Sequence, residues 1–171
     1  MEQSVASSSA AAEEGITTGK YLSFFLSKEE YGIEILKVRE IIGVVDVTPL
    51  PRTPDFVRGV INLRGKIIPV VDLRRKFGME PAEYTAETCI VVVEVEREGD
   101  ASFQVGCVVD TVSEVLTVNT SECSGTPRCA NAAGEYISGL GKLEDRVLIL
   151  LAIDRVLDDV SAANLPALGA I

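Results

Sequence analysis

Short apolar runs separated by turn residues dominate the chain. Residues 20–27 end at a charged turn, and residues 30–35 return with apolar positions at every second residue. Similar runs follow at 88–96, 102–109, 115–119, 135–140 and 146–153. So many short strands predict a mainly β fold, in which small barrels hide the strand edges.

Three segments depart from this pattern. Ile35, Val38 and Ile42 are spaced by three and four residues, which predicts a helical turn. Asp72 is placed to cap a short helical turn over "LRRKF". Near the end, four apolar residues fall on one helical stripe: Ile153, Val156, Leu157 and Val160. This stripe predicts a C-terminal helix that covers the mouth of a barrel.

The chain contains an internal echo. Shifted by 80 positions, residues 59–77 match residues 139–157 without a gap, with Gly59 over Gly139 and Lys66 over Arg146. The shared glycine and basic residue favour a duplicated unit over a chance match of apolar positions. We therefore predict two small, intertwined barrel subdomains that pack together, the second at roughly residues 80–150.

Composition limits the chemistry. The 171 residues carry a net charge of −10 and include no histidine, which excludes Ser-His-Asp and Cys-His nucleophiles. The acidic balance also disfavours general nucleic-acid binding. Cys89 and Cys107 lie in apolar runs, where a free cysteine is usually a small buried residue. There is no CxxC motif, and we expect neither a metal nor a cofactor.

The ends of the chain differ in composition from its centre. Residues 1–18 are rich in serine and alanine and low in hydrophobicity, so we predict a disordered leader and no secretory signal. The folded domain is expected at 19–158, followed by a tail at 159–171.

Basic residues are concentrated in "FVRGVINLRGKIIPVVDLRRKFG", which spans residues 56–78 of this acidic chain. Since no catalytic motif accompanies them, we interpret the segment as a rim that recognises protein surfaces. The alternative for Arg58, Arg74 and Arg75 is that they are solvated or paired with local acids, as surface cations commonly are.

Four motifs occur in a specific order: "EYGIEILKVREI", the basic segment, "GCVVDTVSEVL" and "EYISGLGKLEDRVLILLAIDRVL". Together they resemble CheW, the chemotaxis coupling family, from about Lys20 to Asp158. The resemblance implies two tandem five-stranded SH3-like barrels with an apolar junction and no enzymatic activity. It also implies a cytoplasmic adaptor that is recruited to membrane-associated arrays. Its expected partners are chemoreceptor tips, a CheA-type histidine kinase and other CheW-like domains in rings.

Carried over by position, the family's contact groove falls on five residues: Val38, Glu40, Arg64, Cys89 and Val115. We expect the seam between the barrels to be an apolar slot for a partner's helices. The alternative is that the apolar members are ordinary core and that Arg64 braces its turn against Glu40.

The segment 121–134 departs from the family pattern, because the position of a bulky apolar kinase contact falls on Cys129. Ser124 and Arg128 lie nearby and are candidates for a second kinase contact.

The sequence leaves two other functions open. A small barrel that binds single-stranded RNA would need exposed aromatic side chains, but only 5% of residues are aromatic. An enzyme would use Asp72 or Asp110 as a general base, although capping of the following turn explains both.

Overall fold

A computed structural model describes residues 16–97, 100–122 and 136–157. The ten strands are β1 (Ile16–Leu26), β2 (Glu29–Glu34), β3 (Val38–Gly43), β4 (Val57–Leu63), β5 (Lys66–Asp72), β6 (Cys89–Arg97), β7 (Asp100–Val109), β8 (Thr111–Glu122), β9 (Ile137–Lys142) and β10 (Val147–Leu151). A 3-10 turn spans Ile35–Lys37, and the one-turn helices are α1 (Leu73–Lys76) and α2 (Ile153–Val156). The predicted mainly β class is confirmed.

The strands form two sheets of five. One is a closed barrel in the order β1-β2-β10-β9-β8, here called barrel A. The other, sheet B, has the order β3-β6-β7-β5-β4. Its two edges approach each other where Thr48, which follows β3, exchanges two backbone hydrogen bonds of 2.9 Å with Val60 on β4.

The internal echo corresponds to one repeated structural unit. Residues 59–77 cover most of β4 and all of β5 and α1, and residues 139–157 cover most of β9 and all of β10 and α2. In each copy, the second strand pairs in parallel with a strand that contains a glycine. β5 pairs with β7, where Val70 is opposite Gly106, and β10 pairs with β2, where Leu150 is opposite Gly32. A Cβ at Gly106 would lie 2.7 Å from the side chain of Ile90, and one at Gly32 would lie 2.9 Å from the side chain of Leu148. A larger residue at either glycine would therefore force a buried side chain to shift.

Sheet membership does not follow the sequence repeats. β6 and β7 belong to the predicted second unit, yet they pair with β3 and β5 of the first, so a boundary near residue 80 does not separate the sheets. Short connectors explain this exchange. A repeat that formed its own barrel would need β2 and β3 parallel on either side of β1, and parallel crossovers take a dozen or more residues. Only residues 35–37 are available there, and only Asp110 joins β7 to β8.

The largest apolar cluster lies between the two sheets and is called the seam core. Strand β6 shows how it forms: Val91, Val93 and Val95 face the seam, whereas Ile90 and Val92 face the interior of sheet B. Burial on both faces explains the continuous apolar run of this strand. The seam is filled by the chain's own buried side chains. The expectation of an open slot along it is therefore wrong, and a partner has access only to its margin.

Other local predictions have mixed outcomes. Asp72 caps α1, accepting hydrogen bonds from the backbone N–H groups of Arg74 and Arg75 at 3.0 and 3.5 Å. The helical turn predicted over 35–42 is limited to the 3-10 turn, because Val38 already lies in β3, whose burial alternates from residue to residue.

The predicted ends of the domain are tested only in part. β1 begins at Ile16, inside the segment predicted as the leader, and residues 1–15 lie outside the described part, so the leader stays a prediction. Ile153, Val156 and Leu157 are buried in the seam core, while Val160 and the predicted tail lie outside the described part. Within the residues that the structure describes, no helix has the length and apolar character needed to cross a bilayer.

Candidate functional site

Glu40 and Arg64 form an ion pair on the outer surface of sheet B. Glu40 lies on β3, and Arg64 occupies the β4–β5 turn with a φ of 53°, beside Gly65 at 84°. The amide oxygen of Asn62 accepts the Gly65 N–H at 3.0 Å and holds this turn. Since β3 and β4 are opposite edges of the sheet, the pair spans the narrow opening between them.

The Glu40–Arg64 pair shows Arg64 as a brace, and its contact with a partner stays a prediction. Hydrogen bonding to Glu40 raises the pKa of the Arg64 guanidinium above its usual value. The Arg64 side chain nevertheless remains 74% exposed, whereas that of Glu40 is 23% exposed. A brace between turn and strand therefore leaves the guanidinium accessible to a partner.

Val38 and Cys89 lie at opposite ends of the β3–β6 pair. Val38 is opposite Val93, and Gly43 is opposite Cys89, which places the two candidates about 13 Å apart along the strands. Both are half-buried at the margin of the seam core. The Cys89 thiol donates to the backbone carbonyl of Glu87 at 3.2 Å. The two candidates share one margin but are not adjacent.

Val115 has a different environment. It lies on β8 of barrel A, opposite Leu22, and is 50% exposed. The core interpretation therefore does not apply to Val115. An exposed valine on a strand is a candidate for contact with another protein.

A second exposed apolar feature was missed by the sequence reading. Leu36 in the 3-10 turn is 82% exposed, beside a surface cavity of about 320 Å³. Lys20, Tyr21 and Glu34 also line this cavity. Leu36 lies off the apolar stripe of Ile35, Val38 and Ile42. This off-stripe position is the sequence signal that could have identified Leu36 as exposed.

Much of the basic segment is neutralised internally. Arg74 makes two hydrogen bonds of 2.8 and 2.6 Å to Asp110, and Arg75 binds Asp55 at 3.1 Å. The ammonium group of Lys76 lies 4.1 Å from the centre of the Phe56 ring. Arg74 and Arg75 are thus paired with local acids, the alternative interpretation given above. Arg58, Arg64 and Lys66 remain exposed at the surface of the segment.

The alternative functions find no support at these positions. Asp72 is occupied by its cap, and Asp110 binds Arg74 and the Ser27 N–H, so their oxygens already have partners. Phe24 is buried, and Phe25, Phe56 and Phe103 are half-buried. None of these four rings forms an exposed stacking platform for nucleotides.

The candidates Ser124, Arg128 and Cys129 lie outside the described residues, as does Cys123. Their proposed kinase contact stays a prediction.

Comparison with known proteins adds a family assignment. The family model for the CheW-like domain matches residues 20–161. The chain is 43% identical over 151 residues to the chemotaxis protein CheW of Klebsiella aerogenes, covering 87% of this chain and 88% of the relative. It is 36% identical over 148 residues to chemotaxis protein CheW of Rhizobium meliloti, covering 85% and 92%.

A solved structure supports the same assignment. The scaffolding protein TtCheW from Thermoanaerobacter tengcongensis superposes with a TM-score of 0.73 at 30% identity. The match covers 88% of this chain and 99% of that protein. The arrangement of two five-stranded sheets therefore has an experimental counterpart.

Proposed function

Because the chain belongs to the CheW-like family, we propose that it is a non-enzymatic adaptor of chemotaxis signalling that joins chemoreceptors to a CheA-type histidine kinase. In this proposal it acts in the cytoplasm and is recruited to receptor arrays at the membrane. The family assignment carries the proposal, and the surface geometry of the two sheets supports it.

The candidate receptor contact is the margin of the seam together with the adjoining outer surfaces. Val38 and Cys89 supply half-buried apolar contacts, and Val115 supplies an exposed one. A helical hairpin presents an apolar stripe that such spaced side chains can meet. Because the seam itself is closed, the partner's helices lie against its margin and do not insert between the sheets.

Charge at this surface orients the partner. Arg64 extends from the Glu40 pair into solvent and supplies a cation at the edge of the apolar contacts. Charged groups at an interface rim contribute more to orientation and association rate than to affinity. Ser124, Arg128 and Cys129 are proposed to form a separate contact with the kinase, through which rings with other CheW-like domains would assemble.

The test uses two valines of the same barrel. Val115 and Val147 are 50% and 51% exposed, so aspartate at either position has a similar effect on folding. We expect Val115→Asp to abolish capture of a receptor-tip fragment in a pull-down at moderate salt, and Val147→Asp to retain it. Equal loss with both variants would refute the assignment of Val115. Failure of the unaltered chain to capture either receptor tip or kinase would refute the adaptor function.

A further inference from the structure

Two ion pairs occupy equivalent places in the two repeats with their charges reversed. Arg74 is the second residue of α1, and Asp154, which lies 80 positions later, is the second residue of α2. Arg74 pairs with Asp110 in the connector between β7 and β8. Asp154 pairs with Lys37 in the connector between β2 and β3. The helix residue of each repeat thus binds the connector of the other repeat, and that connector leads from one sheet to the other.

The Asp110 site also links the sheets directly. Its carboxylate accepts 2.8 and 2.6 Å hydrogen bonds from Arg74 and a 2.7 Å bond from the Ser27 N–H. Ser27 follows β1 of barrel A, whereas Asp110 follows β7 of sheet B. One carboxylate therefore fixes the end of a barrel A strand to the exit from sheet B.

The Asp154 site links the two sheets in the same way, but here the carboxylate follows a strand of barrel A and binds a strand of sheet B. Its carboxylate accepts the Lys37 ammonium at 2.9 Å and the Glu96 N–H at 3.0 Å. Glu96 lies on β6 of sheet B, and Asp154 follows β10 of barrel A. Burial lowers the pKa of Lys37, but the bond to Asp154 outweighs this effect and raises the pKa overall. The ammonium group therefore stays charged at neutral pH.

These sites precede two of the strands that carry candidate contacts. Lys37 is followed directly by Val38, the first residue of β3, and Asp110 by Thr111, the first residue of β8. Val115 lies on β8 and Glu40 on β3. The two cations are largely removed from solvent, with side-chain exposures of 16% for Arg74 and 21% for Lys37, whereas the carboxylates of Asp110 and Asp154 are 29% and 38% exposed. Partly buried pairs of this kind are screened less by salt than exposed ones.

We infer that Asp110 and Asp154 are positioning residues of the adaptor's docking surface, which set the orientation of β3 relative to β8 by linking the connectors to the opposite sheet. This role rests on the proposed function. The seam core supplies most of the cohesion between the sheets, but apolar contact is not directional. Hydrogen bonds to a carboxylate have defined geometry, so they select one orientation of the two sheets.

The test measures orientation and binding separately on the full chain. Residual dipolar couplings of backbone amides give the relative orientation of barrel A and sheet B, and titration with a receptor-tip fragment gives the Kd. We expect Asp154→Ala to change the orientation and weaken binding about tenfold, equivalent to about 1.4 kcal/mol. Asp154→Asn should have a smaller effect in both measurements, because its amide oxygen still accepts the Glu96 N–H.

The matched control is Asp55→Ala. It also removes an ion pair, that of Asp55 with Arg75 at 3.1 Å, but both residues belong to the segment that forms sheet B. We expect this control to leave orientation and Kd unchanged. If Asp154→Ala does not fold, Asp154→Asn and Asp110→Asn decide by the same two readouts.

Unchanged orientation and Kd in the folded Asp154 and Asp110 variants, with only lower stability, would overturn the inference. Absence of binding by the unaltered chain would instead overturn the proposed function. The dipolar couplings keep the two failures distinguishable, because they do not depend on a partner.

Discussion

Barrel A and sheet B are built from the same repeated unit but are closed by different interactions. Each strand of barrel A has a hydrogen-bonded neighbour on both sides. Sheet B is closed by the two hydrogen bonds between Thr48 and Val60 and by the Glu40–Arg64 ion pair. One unit thus relies on continuous backbone pairing, and the other on a single bridge supported by side chains.

Their interiors differ as well. Glu30 of barrel A is only 7% exposed and binds Ser23 and Arg146. The matching positions of sheet B, counted from the paired glycines and the 80-residue shift, hold Gln104, Val92 and Lys66. A duplicated unit can therefore keep its topology while one copy contains a buried carboxylate and the other lacks it. The two halves should fail under different conditions.

The largest expected effect comes from the seam core, which the two halves share. Cys107 has no exposed surface, and burial raises the pKa of its thiol to about 12. Cys107→Asp places a carboxylate without a partner there, and we expect it to lower the free energy of unfolding by about 3–5 kcal/mol. Urea unfolding measures this loss. Cys89→Asp, at the half-buried margin, should cost clearly less, and equal losses would contradict the burial of Cys107.

Gly59→Ala should disrupt sheet B selectively. Gly59 has a φ of 142°, and a Cβ there would lie 2.1 Å from the carbonyl oxygen of Thr48, at the bridge that closes the sheet. We expect a loss of about 2–4 kcal/mol, with amide exchange accelerated more in β4 than in β1. Gly43→Ala is the control, because a Cβ at Gly43 has no atom within 4 Å. Uniform acceleration across both sheets would show that the two halves do not open separately.

Glu30→Gln should weaken barrel A by about 1–2 kcal/mol near neutral pH. Burial alone raises the pKa of Glu30, but the hydrogen bonds from Arg146 and Ser23 outweigh it and hold the pKa below its usual value. A carboxyl whose pKa is lower in the folded state stabilises the fold above its unfolded pKa, and this contribution disappears as pH falls through the folded pKa.

Thermal unfolding of the Glu30→Gln variant across the acidic range checks this sign. The difference in stability from the unaltered chain should be greatest near neutrality and shrink on acidification. A constant difference at all pH values would show that Glu30 does not titrate in this way.

Arg64→Glu should have the smallest effect on folding. Its guanidinium is exposed, so breaking the Glu40 pair should shift the melting temperature by only a few degrees, while charge reversal weakens capture of the partner. A melting curve paired with a pull-down separates the two. Loss of the folded state would identify Arg64 as essential to the closure of sheet B.

Sequence reasoning reached the strand units but not their pairing. Alternation, turn residues and the 80-residue echo indicated the repeated hairpins, since side-chain periodicity is a local property. The assignment of hairpins to sheets depends on the lengths of the β2–β3 and β7–β8 connectors. These lengths can be interpreted only when the neighbours of each strand are known.

The candidate site was predictable to a similar degree. The Glu40–Arg64 pair follows from two charged positions that the resemblance had placed together. The closed seam was not foreseen, because the sequence shows that Val91 and Val93 are apolar but not which side chains fill the space opposite them. Leu36 was missed because the interpretation followed the apolar stripe of Ile35, Val38 and Ile42, and Leu36 lies off that stripe.

The exchange of hairpins has a consequence for synthesis on the ribosome. All strands of sheet B lie within one continuous segment, residues 38–109, and can pair as soon as that segment has emerged. The first hairpin of the chain must wait for β8, β9 and β10, which are made last. A nascent chain that stalls before residue 147 would therefore carry a completed sheet B together with an unpaired edge of β2, the kind of edge that invites aggregation.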